Sequence, residues 1–213
     1  MITHLHHQIG REEFDYPALM SALSDYAKPK QKIGALLRKG IIIRVKKGLY
    51  VFGPDDRKRP YSRELLANLI YGPSFLSLDY ALARHGLIPE RVEVLSSVTT
   101  GRPKRFDTPV GRFIYRPTPA AAFHLGMQRV EQGDVAYLMA SPERAIADKL
   151  REDRKAPIRS TADASRYLLE DLRVEKAELA KLDVDLLKQL AQALASRKVD
   201  HCAALIEKLR RQT

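Results

Sequence analysis

Positive charge is concentrated in one segment of the 213-residue chain. Residues 28–59 contain eleven lysines and arginines but only two acidic residues, Asp55 and Asp56, which leaves a formal charge of +9 out of the net +11 of the whole chain. Closely spaced cations with few acidic neighbours are suited to binding the phosphates of a nucleic acid. The segment therefore predicts a surface that faces a polyanion.

The residues from 29 to 40 predict a helix that carries part of this charge. Pro29 suits the first helical turn, where its missing backbone N–H leaves no hydrogen bond unmade, and Gly40 suits the left-handed position just after the last turn. The apolar residues Ile33, Leu36 and Leu37 recur at helical spacing and mark a buried side. We therefore expect the opposite side of this helix to face solvent.

The side predicted to be exposed has the composition of a DNA-reading surface. At about 100° per residue, Gln31, Ala35 and Arg38 lie opposite the apolar stripe. Gln31 and Arg38 can form hydrogen bonds with base edges, and the small side chain of Ala35 lets the backbone come close to a groove. An ordinary solvated face of a surface helix is the alternative, and this helix alone does not exclude it.

The residues that follow predict a β-hairpin with a basic tip. Residues 41–45 are rich in β-branched side chains, Lys46, Lys47 and Gly48 supply a turn, and residues 49–52 return. A first helix is expected to begin near Pro17, before the helix at residues 29–40. The order of helix, turn, helix and hairpin is that of a winged helix-turn-helix. In that motif the second helix enters the major groove and the hairpin contacts the backbone or the minor groove.

Ten residues of this unit are predicted to contact DNA. Gln31 and Arg38, together with Lys28 and Lys32, are expected to reach base edges, and the remaining cations are expected to hold phosphates. The predicted contact residues are Lys28, Lys30, Gln31, Lys32, Ala35, Arg38, Lys39, Arg44, Lys46 and Lys47.

Composition divides the chain into units. We predict the winged helix-turn-helix over residues 1–53 and a linker, rich in proline and charge, over residues 54–62. A mixed α/β unit is expected over residues 63–158, and a helical subdomain packed on it over residues 159–213. The predicted fold class is thus α/β (α+β).

Within the mixed unit, the pattern predicts particular strands and a helix start. Strand patterns occur at residues 92–95, 97–99, 111–115 and 135–139, and residues 102–105 have the composition of a basic loop. Ser141 is expected to cap a helix that follows it directly.

A search for catalytic sets gives little. Glu143 and Asp148 are five residues apart, which places their carboxylates about 140° apart on a helix, and Glu143 is better explained as favourable charge in a first turn. Among His4, His6 and His7, an i, i+3 pair on a helix can bind a metal, but no nearby carboxylate or cysteine completes the set. No phosphate-binding loop or dinucleotide fingerprint occurs. We predict a protein that is not an enzyme and has no cofactor or metal. The alternative is a metal-dependent nuclease that uses Glu143.

The single cysteine and the hydropathy pattern indicate the compartment. Cys202 has no partner for an intramolecular disulfide, which fits a reducing cytoplasm. No apolar run approaches the roughly 18 residues of a membrane span, and the N-terminus lacks the pattern of a signal peptide. We therefore predict a cytoplasmic protein without a membrane partner.

Several motifs, by their order and spacing, resemble those of the AbiEi-type antitoxins, which are transcriptional regulators of bacterial type IV toxin–antitoxin systems. The resembling segments are residues 36–40, 44–50, 74–77 with 81–82 and 85–87, 140–145 with 148, 166–168 and 170–173.

The resemblance implies an N-terminal winged helix-turn-helix that binds repeats in the promoter of its own operon and represses it. It also implies a C-terminal domain associated with antitoxin activity, and a nucleotidyltransferase-like toxin as functional partner that is countered without a stable complex. This chain is shorter than many relatives of that family, so a stand-alone regulator fits as well. From a different functional class, a protein-interaction module whose basic face docks an acidic partner remains the alternative.

Overall fold

A computed structural model describes residues 2–211. Over this range the chain forms a mixed α/β structure with one sheet of three strands and one of six, which confirms the predicted fold class. Met1, Gln212 and Thr213, which the predicted first and last units include, lie outside the described residues. Within residues 2–211, no helix has both the length and the apolar character needed to span a bilayer.

The N-terminal unit contains the two helices and the hairpin in the predicted order, and a further helix and a short strand precede them. Its elements are α1 (Ile2–Ile9), β1 (Glu13–Asp15), α2 (Tyr16–Ala22), α3 (Pro29–Arg38), β2 (Ile42–Lys46) and β3 (Leu49–Phe52).

Local interactions determine where these helices begin and end. The Asp15 carboxylate caps α2 by accepting a hydrogen bond from the Ala18 N–H at 2.9 Å. Gly40 follows α3 with φ of 70°, the left-handed conformation expected of it. A Cβ on Gly53 would lie 1.9 Å from the Gly40 carbonyl oxygen, so the end of the hairpin can approach this turn only because residue 53 is glycine.

The three-stranded sheet buries both of its faces. Its strand order is β1-β3-β2, with antiparallel pairing throughout. On one face, Ile42 and Phe52 pack in a small core with the N-terminal helices. On the other face, Val45, Leu49 and Val51 belong to the hydrophobic core of the rest of the chain. The hairpin therefore joins two cores, although the predicted unit boundary lies just after it.

The second unit is built on a six-stranded sheet. Its strands are β4 (Ser74–Leu76), β5 (Leu95–Thr99), β6 (Lys104–Thr108), β7 (Gly111–Pro117), β8 (Met127–Gln132) and β9 (Val135–Ala140). Their spatial order is β6-β7-β5-β4-β9-β8, in which the pairs β4–β9 and β5–β7 are parallel and the others antiparallel. Its helices are α4 (Arg63–Ile70), α5 (Leu78–Arg84) and α6 (Pro142–Glu152).

Three of these strands, β4, β6 and β8, were not predicted. β6 and β8 lie at the two ends of the sheet and consist largely of polar, exposed residues, so they lack the apolar alternation that reveals a half-buried strand. The basic loop predicted at residues 102–105 was wrong in part, because Lys104 and Arg105 begin β6. Residues 92–94, predicted as strand, lie before β5.

The C-terminal residues are helical, as predicted. They form α7 (Thr161–Arg166), which continues into a π-helical turn (Tyr167–Asp171), then α8 (Lys176–Lys181), α9 (Val184–Ala193) and α10 (Arg197–Arg210). Asp183 caps α9 by accepting hydrogen bonds from the N–H groups of Asp185 and Leu186. These helices share one hydrophobic core with the six-stranded sheet. Cys202 lies in this core, where burial raises the pKa of its thiol to about 12.

A buried ion pair on α6 organises the second unit. The Arg144 side chain is fully buried, and its Nε donates to Oδ2 of Asp148, one helical turn later, at 2.9 Å. The same carboxylate oxygen accepts a hydrogen bond from Ser77 Oγ, at the start of α5, at 2.7 Å. Charged groups without water need such partners, since desolvation of each ion is costly.

The remaining nitrogens of Arg144 reach the segment between β7 and β8. Nη2 donates to Thr118 Oγ1 at 2.9 Å, and Nη1 donates to the Leu125 carbonyl at 3.0 Å and to the Ala122 carbonyl. The guanidinium thus connects α6 with the loop that carries residues 118–125, and its partner Asp148 connects α6 with the junction of β4 and α5.

We expect Asp148→Ala to lower the free energy of unfolding by about 3–5 kcal/mol, because it leaves a buried guanidinium without a counter-charge. Urea unfolding followed by circular dichroism measures this loss. Glu178→Ala is the matched control, because Glu178 forms an exposed pair with Lys181 at 2.6 Å and exposed pairs contribute little. A loss for Asp148→Ala no larger than that of the control would show that the network does not stabilise the fold.

Candidate nucleic-acid interface

Helix α3 presents the predicted face to solvent. Ile33 and Leu36 are buried against the sheet and the other N-terminal helices. On the opposite side Gln31 and Arg38 are exposed, and Ala35 between them is half-buried. The two polar side chains able to read base edges therefore lie on one accessible surface, separated by a small residue.

The N-terminal end of α3 is also open. Lys28 occupies the capping position but forms no side-chain hydrogen bond to the helix, and Pro29 has no N–H. The N–H groups of the following residues, Lys30 and Gln31, thus lack a capping side chain. Because the helix dipole places partial positive charge at this end, and the exposed Lys28 and Lys30 add two full charges, the end attracts anions.

The cations of α3 and of the hairpin lack acidic partners. Within residues 2–211, none of the predicted contact residues forms an ion pair with a carboxylate. Lys39, Arg44 and Lys47 are exposed. Lys32 is half-buried, with its ammonium 4.7 Å from the centre of the Tyr26 ring. The surface therefore carries positive charge that no carboxylate among the described residues neutralises.

Lys46 occupies a different place from the other predicted residues. Strict alternation along β2 would put it on the same face as Arg44, but the pairing register shifts between these two residues. Its ammonium instead donates a hydrogen bond to the Ile70 carbonyl at the end of α4. Burial and, to a lesser degree, the nearby charge of Lys104 lower the pKa of Lys46. Lys46 therefore lies at the contact between hairpin and second unit, apart from the exposed α3 face.

The predicted linker is bound to the N-terminal unit. The Lys58 N–H donates to Oε1 of Glu12 at 3.0 Å, and the Ser62 N–H donates to the carboxylate of Glu13. Both glutamates are almost fully buried. Composition alone did not reveal that Glu12 and Glu13 bind the predicted linker, although two adjacent acids in a basic unit are an unusual feature.

Three of the histidines and acids weighed as metal ligands, His6, Glu143 and Asp148, have structural partners. His6 stacks on the Phe52 ring with the centroids 3.8 Å apart. Glu143 accepts hydrogen bonds from Ser141 Oγ at 2.7 Å and from the Asp183 N–H at 3.0 Å, so it joins the N-terminal ends of two helices. In the part of the chain that the structure describes, no group of three His, Cys, Asp or Glu side chains is arranged to hold a metal ion.

A cleft of about 600 Å³ lies beside the hairpin at the junction of the two units. Glu13, Lys46, Lys47 and Leu69 contribute to its lining. One carboxylate oxygen of Glu13 is buried without a hydrogen-bond partner. Burial raises the pKa of Glu13 above the ordinary value of 4.5, despite the hydrogen bond from Ser62.

Comparison with known proteins identifies no family for this chain. No protein-family model matches it, and no curated protein is significantly similar to it. The resemblance to AbiEi-type antitoxins therefore rests on the sequence motifs themselves.

We expect Glu13→Gln to flatten the pH dependence of stability. The folded chain binds the Glu13 proton more tightly than the unfolded chain, so the free energy of unfolding falls as pH rises from about 4.5 through the raised pKa. Glutamine does not titrate, so the variant should gain stability relative to the wild type as pH rises across this window. Urea unfolding at a series of pH values measures the difference.

The control for this experiment is Glu170→Gln, because Glu170 is exposed. Its stability difference from the wild type is the baseline of the comparison. A Glu13→Gln difference that rises with pH no more than this baseline would contradict the assigned effect of burial.

Proposed function

We propose that the protein is a sequence-specific double-stranded-DNA-binding transcriptional repressor whose N-terminal unit works as a winged helix-turn-helix. The observation that carries this proposal is the exposed face of α3, which combines Gln31 and Arg38 with a helix N-terminus without a capping side chain and with cations that form no ion pair in residues 2–211. A DNA duplex supplies what that face lacks, which is a row of negative charges and polar base edges.

In this proposal α3 lies in the major groove. Arg38 can donate two hydrogen bonds to a guanine, and Gln31 can form a pair of hydrogen bonds with an adenine. Ala35, between them on the same face, leaves room for the helix to approach. Lys28 and Lys32 flank this row, although the ammonium of Lys32 must leave the Tyr26 ring to reach a base.

The phosphates are assigned to cations at the ends of α3 and on the hairpin. Lys30 and Lys39 lie near the two ends of the helix, and Arg44 and Lys47 lie on the exposed part of the hairpin. Lys46 is assigned a different role, because its ammonium is bound to the end of α4. We assign it to fixing the hairpin against the second unit, so that the wing meets the duplex in one orientation.

We further propose that the protein acts in the cytoplasm as the autoregulating antitoxin of a type IV toxin–antitoxin operon and binds repeats in its own promoter. The support for this is the motif resemblance, which also suggests a nucleotidyltransferase-like toxin as functional partner without a stable complex. Ser77, Arg144 and Asp148, which belong to the resembling segments, are buried in one hydrogen-bond network. Because these residues are buried, the resemblance at their positions supports a fold in common with AbiEi-type antitoxins more directly than a binding surface in common with them.

Arg38→Ala should relax sequence preference. Loss of a bidentate contact to a base removes about 1–3 kcal/mol of discrimination, while non-specific binding, which depends on phosphate contacts, should change less. Gel shifts that compare the region upstream of the gene with random DNA of equal length measure the ratio of affinities. Arg154→Ala, which removes an exposed arginine from the turn after α6, is the control and should leave this ratio unchanged.

Replacement of both Lys30 and Lys39 by glutamine should weaken binding to all sequences alike. The slope of log K against log salt is negative, and each lost phosphate contact should make it shallower by about one unit. Titrations at several salt concentrations on both duplexes give this slope. Weakening confined to the upstream duplex would contradict a role in phosphate binding.

Two outcomes would redirect the proposal. If the wild-type protein shows no preference for its upstream region over random DNA at about 150 mM salt, it is not a sequence-specific repressor. If a pull-down treated with nuclease retains an acidic protein in stoichiometric amount, the basic face is a protein-docking surface instead.

A further inference from the structure

The outer strand β8 has a sequence that is complementary to itself. Its central residues are Arg129, Val130 and Glu131, and a glutamine lies on either side, at 128 and 132. If two such strands lie antiparallel with Val130 opposite Val130, each Arg129 lies opposite a Glu131 of the other strand. Opposite charges directly across a strand pair are stabilising. One two-fold arrangement therefore matches both charges of β8 with opposite charges of a second copy.

The backbone groups of Arg129 and Glu131 point away from the sheet. On the neighbouring strand β9, the Leu138 N–H donates to Oδ1 of Asn68 at 2.6 Å, and the Leu138 carbonyl accepts from Nδ2 of Asn68 at 3.3 Å. Leu138 lies opposite Arg129 in the β8–β9 ladder. Because its backbone groups are directed away from β8, the pair is one of the pairs without hydrogen bonds. The N–H and carbonyl of Arg129 therefore face the outer side, as do those of Glu131 two residues later.

This outer side is open and held in place. Within residues 2–211, β8 is the last strand of the six-stranded sheet, with β9 as its one neighbour. The side chains of Arg129 and Glu131 are 63% and 70% exposed and form an ion pair with each other. Asp134, in the turn after β8, forms an ion pair with Arg59 of the predicted linker. Such an edge, with unpaired N–H and carbonyl groups, is a template for another strand.

The other end of the same sheet is less suited to pairing with itself. Strand β6 contains Lys104, Arg105 and one acid, Asp107, so it carries a net positive charge. Asp107 already binds two arginines, Arg105 at 2.8 Å and Arg112 at 2.7 Å. Two copies of β6 would bring like net charges together, which opposes association. The charges of β8, in contrast, sum to zero.

We propose that β8 pairs antiparallel with β8 of a second copy of this chain, about a two-fold axis at Val130. Each Arg129 exchanges both backbone hydrogen bonds with Glu131 of the other copy, and their side chains form ion pairs across the axis. The two six-stranded sheets then form one continuous sheet. Charged side chains protect an edge from arbitrary strands, and here they fit one partner. The interface is small, so the dimer is weak and reversible.

Charge reversal tests this pairing. Arg129→Glu places like charges opposite each other on both sides of the axis, so it should weaken dimerisation by about tenfold or more. Sedimentation equilibrium from about 5 to 500 µM protein, a range suited to a weak interface, measures the dissociation constant. Lys181→Glu is the matched control, because Lys181 is similarly exposed and pairs with Glu178. The control should dimerise like the wild type, and circular dichroism should show an unchanged fold for both variants.

Mixing two variants separates lost pairing from a folding defect. Glu131→Arg alone also places like charges opposite each other, so it should be as defective as Arg129→Glu. In a mixture of the two variants, each acid of one copy lies opposite a base of the other, so the mixture should dimerise. The double variant Arg129→Glu/Glu131→Arg should dimerise without a partner variant.

Disulfide trapping tests the register. Val130→Cys places two thiols at the axis, in a pair without hydrogen bonds whose Cα atoms lie about 4.5 Å apart, within the range of a disulfide. Gln128→Cys is the control, because its two copies lie about 13 Å apart along the strands in this register. Cys202 is buried and does not compete. A mild oxidant should therefore link Val130→Cys chains and leave Gln128→Cys chains unlinked.

The outcomes decide the inference without reference to DNA. A wild-type chain that stays monomeric at every concentration, with no link between Val130→Cys chains, refutes it, as would be found if the edge binds a strand of a different protein. A dimer that Arg129→Glu leaves intact, or Gln128→Cys chains that link as readily as Val130→Cys chains, also refutes it. Recovery of the dimer in the mixture, together with the selective link at position 130, supports it.

Discussion

The burial of both faces of the three-stranded sheet is the constraint on which the arrangement of the whole protein depends. A hairpin as short as β2–β3 is only marginally stable alone. Here Ile42 and Phe52 bury one face under the N-terminal helices, and Val45, Leu49 and Val51 bury the other against the second unit. The hairpin therefore lies between two hydrophobic cores and packs against both. Any surface that uses α3 and the hairpin together keeps a fixed relation to the second unit.

The second unit is held in shape by the buried guanidinium of Arg144. Its donors reach Asp148, Thr118 and two backbone carbonyls, and Asp148 also accepts a hydrogen bond from Ser77. Hydrogen bonds therefore connect the helix that carries Arg144 with the loop before β8 and with the start of α5. Such a network resists small displacements, since a partner lost in the low-dielectric interior is costly. A rigid second unit in turn gives α4 and the hairpin a firm support.

This packing bears directly on the DNA binding that we propose. The exposed row of Gln31 and Arg38 and the hairpin tip at Lys47 belong to elements that are packed on one another, so under this proposal their spacing is set before a duplex binds. Binding then requires little ordering of the protein, and such preorganisation favours affinity. It also means that distant residues that support the hairpin can influence how well the α3 face fits a groove.

The sequence by itself determined the local features of this protein. Pro29 and Gly40 defined α3, and the spacing of Ile33 with its apolar neighbours defined its exposed face, because helix ends and helix sides are encoded by residues within a few positions of one another. Only the tertiary structure decided that Lys46 turns toward α4 and that Lys104 lies beside it. These facts depend on a register shift and on a polar edge strand, and the contacts that produce them join residues far apart in the chain, where no local pattern records them.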